Sequence, residues 1–207
     1  MFIVLEGAEG SGKSTQLRLL GEWLTRAGIA HVLTREPGGT TVGEQIRAIL
    51  LHGADLPAAA ELLLMNAARA VFVDEVVKPA LASGKVVVAD RFSLSSLAYQ
   101  GYGRGLPLDE VRRICAFAAQ GLEPDVTVVL DVPAEESEAR RVGRGADRIE
   151  RAGTEFHLRV AGAYRLLPDS EANVALLSGV GDPVEVHQRI VGLLRSRFPE
   201  TFGKIAG

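Results

Sequence analysis

The sequence predicts a doubly wound α/β domain. Three observations lead there. Short runs rich in Val, Ile and Leu recur without polar alternation, the pattern of strands covered on both faces of a parallel sheet. Segments with helical spacing lie between them, several closed by a glycine. The first run passes straight into a glycine-rich turn and then Lys-Ser-Thr, as a strand–turn–helix unit of such a sheet does.

Taken in order, residues 2–5 (FIVL) form the first strand, and a helix over 13–27 ends at Gly28. The run 30–33 (AHVL) is the second strand, followed by a helix over 42–52 that stops at Gly53. Residues 56–82 read as one long apolar-rich helix, with Pro57 in a first turn, where its missing N–H costs nothing, and Gly84 beyond the end. Residues 85–89 (KVVVA) give the third strand, and a helix over 108–120 ends at Gly121. The runs 126–132 (VTVVLDV) and 173–177 (NVALL) are the fourth and fifth strands. The last helix, 182–198, opens on Asp-Pro and carries Val186, Ile190, Leu193 and Leu194. Between the fourth and fifth strands, residues 135–151 (EESEARRVGRGADRIER) are highly charged and broken by Gly143 and Gly145. That segment is either a solvated helix and loop or a mobile basic flap. No repeat, low-complexity tract or linker divides the chain, so residues 1–207 read as a single domain.

Composition narrows the function. Apolar residues at 47% and charged residues at 24% describe an ordinary globular protein with a real core. A net charge of −3 opposes a general nucleic-acid binder, which needs a broad basic field, yet leaves room for a local anion pocket. The single cysteine, Cys115, excludes an intramolecular disulfide or a cysteine zinc cluster and reads as a small core residue. Met1-Phe2 leads directly into the first strand, leaving no room for a signal peptide, and no apolar run approaches the ~20 residues of a membrane span. The expected location is the cytoplasm.

The chemistry concentrates after the strands, where such sheets bind ligands. Gly7-Ala8-Glu9-Gly10-Ser11-Gly12-Lys13-Ser14 fits G-x-x-x-x-G-K-[ST], with Thr15 next. Glycines let backbone amides close on phosphate oxygens, and the helix that follows adds the partial positive charge of its N-terminus. Lys13 then reaches the β- and γ-phosphates and the Ser14 hydroxyl suits Mg²⁺. Glu9 is out of place beside a triphosphate unless it points at a sugar hydroxyl or acts through a metal. After the second strand, "TREPGGT" sets Arg35 before a rigid turn, either to pair with an anion or as an ordinary surface Arg-Glu pair. After the third, "ADRFSLSSLAYQG" sends out Asp90 and Arg91, costly to bury without partners. Mg²⁺ and a phosphate would satisfy them, and so would a salt bridge between the two. Ser95, Ser96, Tyr99 and Gln100 offer neutral donors and acceptors suited to a base or sugar. In the long helix, Leu62, Met65, Arg69 and Phe72 share a stripe. Arg69 there needs either a hydrogen-bonding ligand such as a base or a buried stem with its head in water.

These motifs together resemble the bacterial thymidylate kinases. The likeness spans nearly the whole chain and rests on "EGAEGSGKST", "TREPGGT", "DRFSLSSLAYQG" and "ADRIE" (146–150). It implies a three-layer P-loop NTPase fold, a five-stranded parallel sheet flanked by helices, with a short arginine-rich lid at about 135–151. It implies transfer of the γ-phosphoryl of ATP to dTMP, with Mg²⁺, in a homodimer. By position, Gly7 to Thr15 would hold ATP, with Lys13 on its phosphates, and Ser14 and Asp90 would serve the metal. Glu9 would lie near the acceptor sugar, while Arg35 and Arg91 would clamp the acceptor phosphate. Arg69 would donate to thymine O4. Ser95, Ser96 and Gln100 would surround the base, Tyr99 would favour deoxyribose, and Phe72 would form a wall. With no arginine among residues 8–11, a flap arginine would close on the transferring phosphoryl; of Arg140, Arg141, Arg144 and Arg148, the expectation falls on Arg144 and Arg148. The family's stacking phenylalanine is replaced by Met65. A GTPase switch is disfavoured by the lack of N-K-x-D. Another nucleotide or small-molecule kinase, or a catalytically silent nucleotide-binding regulator, remains as a rival.

Overall fold

The structure, a computed structural model, describes residues 1–140, 147–171 and 173–203. β1 (Phe2–Glu6) leads through the glycine turn into α1 (Lys13–Arg26), then β2 (His31–Arg35), α2 (Thr41–His52) and α3 (Ala58–Phe72). A π-helical stretch, Val73–Val77, joins α3 to α4 (Lys78–Ala82) before β3 (Val86–Asp90). α5 (Ser93–Ser96) widens into a second π-helical stretch, Leu97–Gly103, followed by α6 (Leu108–Ala118), β4 (Val126–Asp131) and α7 (Ala134–Ala139). α8 (Thr154–Leu166), β5 (Val174–Ser178), α9 (Pro183–Arg197) and α10 (Pro199–Phe202) complete the described chain.

The five strands run parallel in the order β2-β3-β1-β4-β5. Side chains alternate across the sheet, as the two-residue period of a strand requires. Ile3, Leu5, Val86, Val88, Val126 and Val128 pack against α1, α9 and α10 through Leu20, Trp23, Leu24, Ile190, Leu194 and Phe202. Phe2, Val4, Val87 and Ala89 face the other way, onto Phe72, Val73, Val77 and Phe92. A third cluster joins Val129 to the 97–103 stretch, α6 and α8. The expectation of strands buried on both faces holds for β1, β3 and β4 only; β2 and β5, at the edges, are half-exposed.

Local chemistry explains the helix ends. Thr40 caps α2 by accepting from Gly43 N (2.9 Å), and Asp182 caps α9 by accepting from Val184 N (2.8 Å) and Glu185 N (3.0 Å), with Pro183 in the first turn. The expected long helix over 56–82 is α3, a π-helical stretch and α4. Helices α5, α8 and α10 lie outside the expected elements, while α7 falls in the charged segment read as a solvated helix and loop or a flap. For α8 the signal was present: Phe156, Val160, Ala163 and Leu167 recur at helical spacing and are all buried.

Leu5 sits in the central strand with no exposed surface. Leu5→Ala leaves a cavity between sheet and α1, and the expected loss is about 2–5 kcal/mol of unfolding free energy, measured by urea titration at unchanged slope.

Candidate active site

One cleft of about 690 Å³ opens at the carboxyl ends of β1, β2 and β3, where the chain crosses between strands. Its floor is the turn after β1. Gly7 (φ 140°) and Gly10 (φ 76°) take conformations that side chains resist, and both are crowded. A Cβ on Gly7 would stand 2.6 Å from Leu130 O, and one on Gly10 2.5 Å from Ser137 O. The buried Lys13 closes over the turn, Nζ donating to Gly7 O (3.0 Å), Ala8 O (2.9 Å) and Ser11 Oγ (3.3 Å). Burial, and then the charge of Arg91, push its pKa down. α1 begins at Lys13 without a side-chain cap, so its first amides keep the partial positive charge of an open helix end.

Ser14 Oγ donates to Asp90 Oδ2 (3.0 Å), while Asp90 Oδ1 is buried without a partner. Residues 90 and 91 leave β3 together, and Arg91 takes a positive φ of 77°. That strained conformation aims its guanidinium back under the turn. Arg91 donates to Gly7 O (3.1 Å), Ser95 Oγ (3.1 Å), Tyr164 OH (3.0 Å), Tyr99 OH (3.0 Å) and Glu9 Oε1 (2.5 Å). Glu6 lies 3.8 Å away, wholly buried. Its carboxylate accepts from Phe92 N (2.9 Å), Ser95 N (3.0 Å), Ser95 Oγ (2.7 Å) and Tyr164 OH (2.7 Å), so it also caps the helix that carries the neutral groups. Burial would raise the Glu9 carboxyl. The charges of Arg91 and Lys13 and hydrogen bonds from Tyr99 and Arg91 outweigh it and hold Glu9 at about 2. Burial, above all, keeps Tyr99 and Tyr164 protonated.

Beyond Arg91 the cleft is lined by Met65, Phe92, Ser96 and Gln100. Behind them lies Arg69, whose five N–H groups are matched by Glu36 Oε2 (2.9 Å), Asn66 Oδ1 (2.9 Å), Cys115 Sγ (3.3 Å), Phe92 O (3.1 Å) and Ser96 Oγ (3.2 Å). Burial pushes Glu36 up to about 7 against the pull of Arg69, and its Oε1 is a second buried acceptor without a partner at the cleft wall. On the rim, Arg35 pairs with Glu44 (3.0 Å) and Arg47 donates to Pro37 O (2.9 Å). Burial and the neighbouring Arg35 lower the pKa of Arg47.

Most expected residues therefore meet. Glu9 to Thr15, Arg35, Met65, Arg69, Asp90, Arg91, Ser95, Ser96, Tyr99 and Gln100 all line the cleft. Gly7 and Ala8 lie behind it, receiving Lys13. Two expectations change. Phe72 is not a wall of the cleft: it is fully buried against Phe92 in the core, and Phe92 takes the wall. Arg148 does not stand over the phosphates; it is 5% exposed, donating to Leu50 O (2.8 Å) and paired with Glu61 (2.8 Å). Arg69 lines the cleft as expected, with its N–H groups engaged by protein. Arg144 and Arg141 lie outside the described residues. Arg140, passed over in the sequence, reaches the turn instead, donating to Gly10 O (3.4 Å) and Gly179 O (3.1 Å). The sequence reading also missed Glu6, Glu36, Arg47 and Tyr164. Glu6, a carboxylate ending an apolar strand, carried a readable signal, since such a group needs partners. Tyr164 carried none.

Residues 5–190 match the model of the thymidylate kinase family. The chain belongs to the thymidylate kinase family. It is 48% identical over 200 residues to thymidylate kinase of Synechococcus sp. (strain JA-2-3B'a(2-13)), covering 96% of each chain. It is 53% identical over 170 residues to that of Pelotomaculum thermopropionicum, covering 80% of this chain and 79% of the relative. The crystal structure of thymidylate kinase from Ehrlichia chaffeensis superposes with a TM-score of 0.79 at 31% identity, over 94% of this chain and 98% of that one. The five-stranded parallel sheet flanked by helices is the fold of this family.

The depressed pKa of Glu9 has a measurable sign. Its ionised form is favoured by folding, so its contribution is present above the ordinary value of 4.5 and lost as pH falls towards 2. The stability advantage of the wild type over Glu9→Gln should shrink across that window in thermal melts.

Proposed function

We infer that the chain transfers the γ-phosphoryl of ATP to the 5′-phosphate of dTMP, giving dTDP and ADP. One observation carries this reading: two anion-binding sets face a single cleft. The amide-lined turn with Lys13 forms one; Arg91, Arg35 and Arg47 form the other. An enzyme moving a phosphoryl group between two phosphates needs that arrangement and little covalent chemistry.

The turn and the open end of α1 hold the donor's phosphates, with Lys13 exchanging its carbonyl partners for phosphate oxygens. Arg140, beside Gly179, Gly181 and Pro183, puts positive charge at the donor's end of the cleft. Arg91 orients the acceptor monoester, already held in one rotamer by its protein partners. That monoester is ionised near neutral pH, so no residue needs to act as a strong base. Glu9, kept ionised, accepts from the sugar, and Tyr99 closes the space beside it. Met65 and Phe92 cover the base.

Mg²⁺ fits Ser14 and Asp90. Asp90 Oδ1 is a buried acceptor with no protein partner, and the Ser14 hydroxyl is bonded to the same carboxylate. Among the described residues no group of three or more His, Cys, Asp or Glu side chains could hold a metal alone. This suits an ion that takes one carboxylate and completes its shell with water and phosphate. Held by Ser14 and Asp90, such an ion would supply charge neutralisation for the donor's phosphates.

We read the chain as a single domain acting in the cytoplasm as a homodimer. Exposed apolar side chains on three helices packed side by side, Ile49 on α2, Leu63 on α3 and Phe117 on α6, support the dimer. Among the described residues no helix is long and apolar enough to cross a membrane.

With ATP and a panel of nucleoside monophosphates, ADP release should favour dTMP clearly over AMP, CMP and GMP; no preference for dTMP would sink the assignment. Arg91→Ala should keep the fold by circular dichroism and lose on the order of 10³-fold in turnover. Unchanged turnover would remove Arg91 from the acceptor clamp. Asp90→Asn should raise the Mg²⁺ concentration needed for half-maximal rate, read from a Mg²⁺ titration at fixed ATP.

A further inference from the structure

Glu61 of α3 has no exposed surface and does not line the cleft, yet it holds a residue that does. Its Oε1 accepts from Gln100 Nε2 (2.9 Å) and Arg104 Nε (3.2 Å), and its Oε2 from Arg104 NH2 (3.0 Å) and Arg148 NH2 (2.8 Å). Burial pushes the Glu61 carboxyl up, but hydrogen bonds from Arg104, Gln100 and Arg148 prevail and keep it below its ordinary value. An ionised carboxylate only accepts. The amide nitrogen of Gln100 must therefore face Glu61, whichever way the amide is otherwise drawn, and its Oε1 is the end left for a ligand.

Ser96, one helical turn earlier on the same wall, is fixed in the opposite sense. Its Oγ accepts from Arg69 NH2 (3.2 Å), and Arg69 can only donate, so the Ser96 hydroxyl proton is free to be given away. The wall thus presents one acceptor and one donor side by side. A pyrimidine-2,4-dione shows the complementary edge: an N3–H that donates next to a carbonyl that accepts. A 4-aminopyrimidin-2-one shows the reverse at both atoms, a bare N3 beside an amino group.

We propose that Glu61 is a positioning residue for base selection: by fixing the polarity of Gln100 it favours an acceptor base carrying N3–H and rejects the amino-pyrimidine. The inference deepens the dTMP reading and rests on it. Its action is indirect, so its loss changes which base is taken rather than how phosphate is transferred. In Glu61→Gln the obligate acceptor is gone, and Gln100 can turn to offer its nitrogen.

The test compares kcat/KM for dTMP and dCMP, with KM for ATP measured alongside. In Glu61→Gln the dTMP-to-dCMP ratio should fall at least about tenfold, mostly through the two nucleotide KM values, with KM for ATP unmoved. Gln100→Met leaves the pairs of Glu61 with Arg104 and Arg148 in place and should show a fall of similar size, which decides the matter if Glu61→Gln does not fold. A ratio unchanged while both substrates worsen in parallel would make Glu61 merely structural and overturn the proposal, as would an unchanged ratio in Gln100→Met. Wild-type enzyme that takes dCMP as readily as dTMP overturns the dTMP reading itself, before any variant is made.

Discussion

A guanidinium under the glycine turn organises this site. Arg91 is only 14% exposed and joins four parts of the chain: the turn through Gly7 and Glu9, β1 through Glu6, the 97–103 stretch through Tyr99, and α8 through Tyr164. A charge so placed must be paired and hydrogen-bonded or the fold loses several kcal/mol. The same requirement that satisfies Arg91 therefore fixes how the glycine turn sits against the 97–103 stretch and α8. Both carboxylates that serve it come from the first strand and its turn, so the strand that builds the sheet's centre also sets the electrostatics of the cleft.

The rest of the site follows a similar logic of charged groups held behind neutral ones. Arg69 and Glu61 are buried and engaged with protein, Arg69 at the cleft wall and Glu61 behind it. Their effect is transmitted through Ser96 and Gln100, whose hydrogen-bonding sense they fix. Such preorganisation reduces the reorganisation needed when a ligand arrives. Three cleft-lining residues, Gln16, Glu36 and Asp90, each carry a buried acceptor with no protein partner. Unmatched acceptors at a cleft are what a site that takes a cation and a nucleotide should show.

Legibility from sequence differed by kind of residue. The turn after β1 could be placed between strand and helix, because its conformation depends on neighbours in the chain. Arg35, Asp90 and Arg91 could be placed at strand ends, since charges leaving an apolar run have few places to go. Phe72 and Arg148 could not. Helical spacing puts Phe72 on the stripe of Met65 and Arg69, but that stripe turns inward within its last turn, and the ring packs on Phe92. Arg148 looks like any other flap arginine until Glu61, far away in sequence, proves to be its partner.

By itself the sequence determined the five strands, the glycine turn that follows the first and the family, because these rest on short-range patterns: apolar runs, glycines that permit unusual backbone, and motifs of contiguous residues. Tertiary structure alone decided which arginine meets which anion, which end of Gln100 faces the cleft, and that Tyr164 belongs to the site. Most are pairings between distant parts of the chain, Gln100 with Glu61 across 39 residues and Tyr164 with Glu6 across 158, settled by where burial leaves a polar group without water, and no local pattern encodes them.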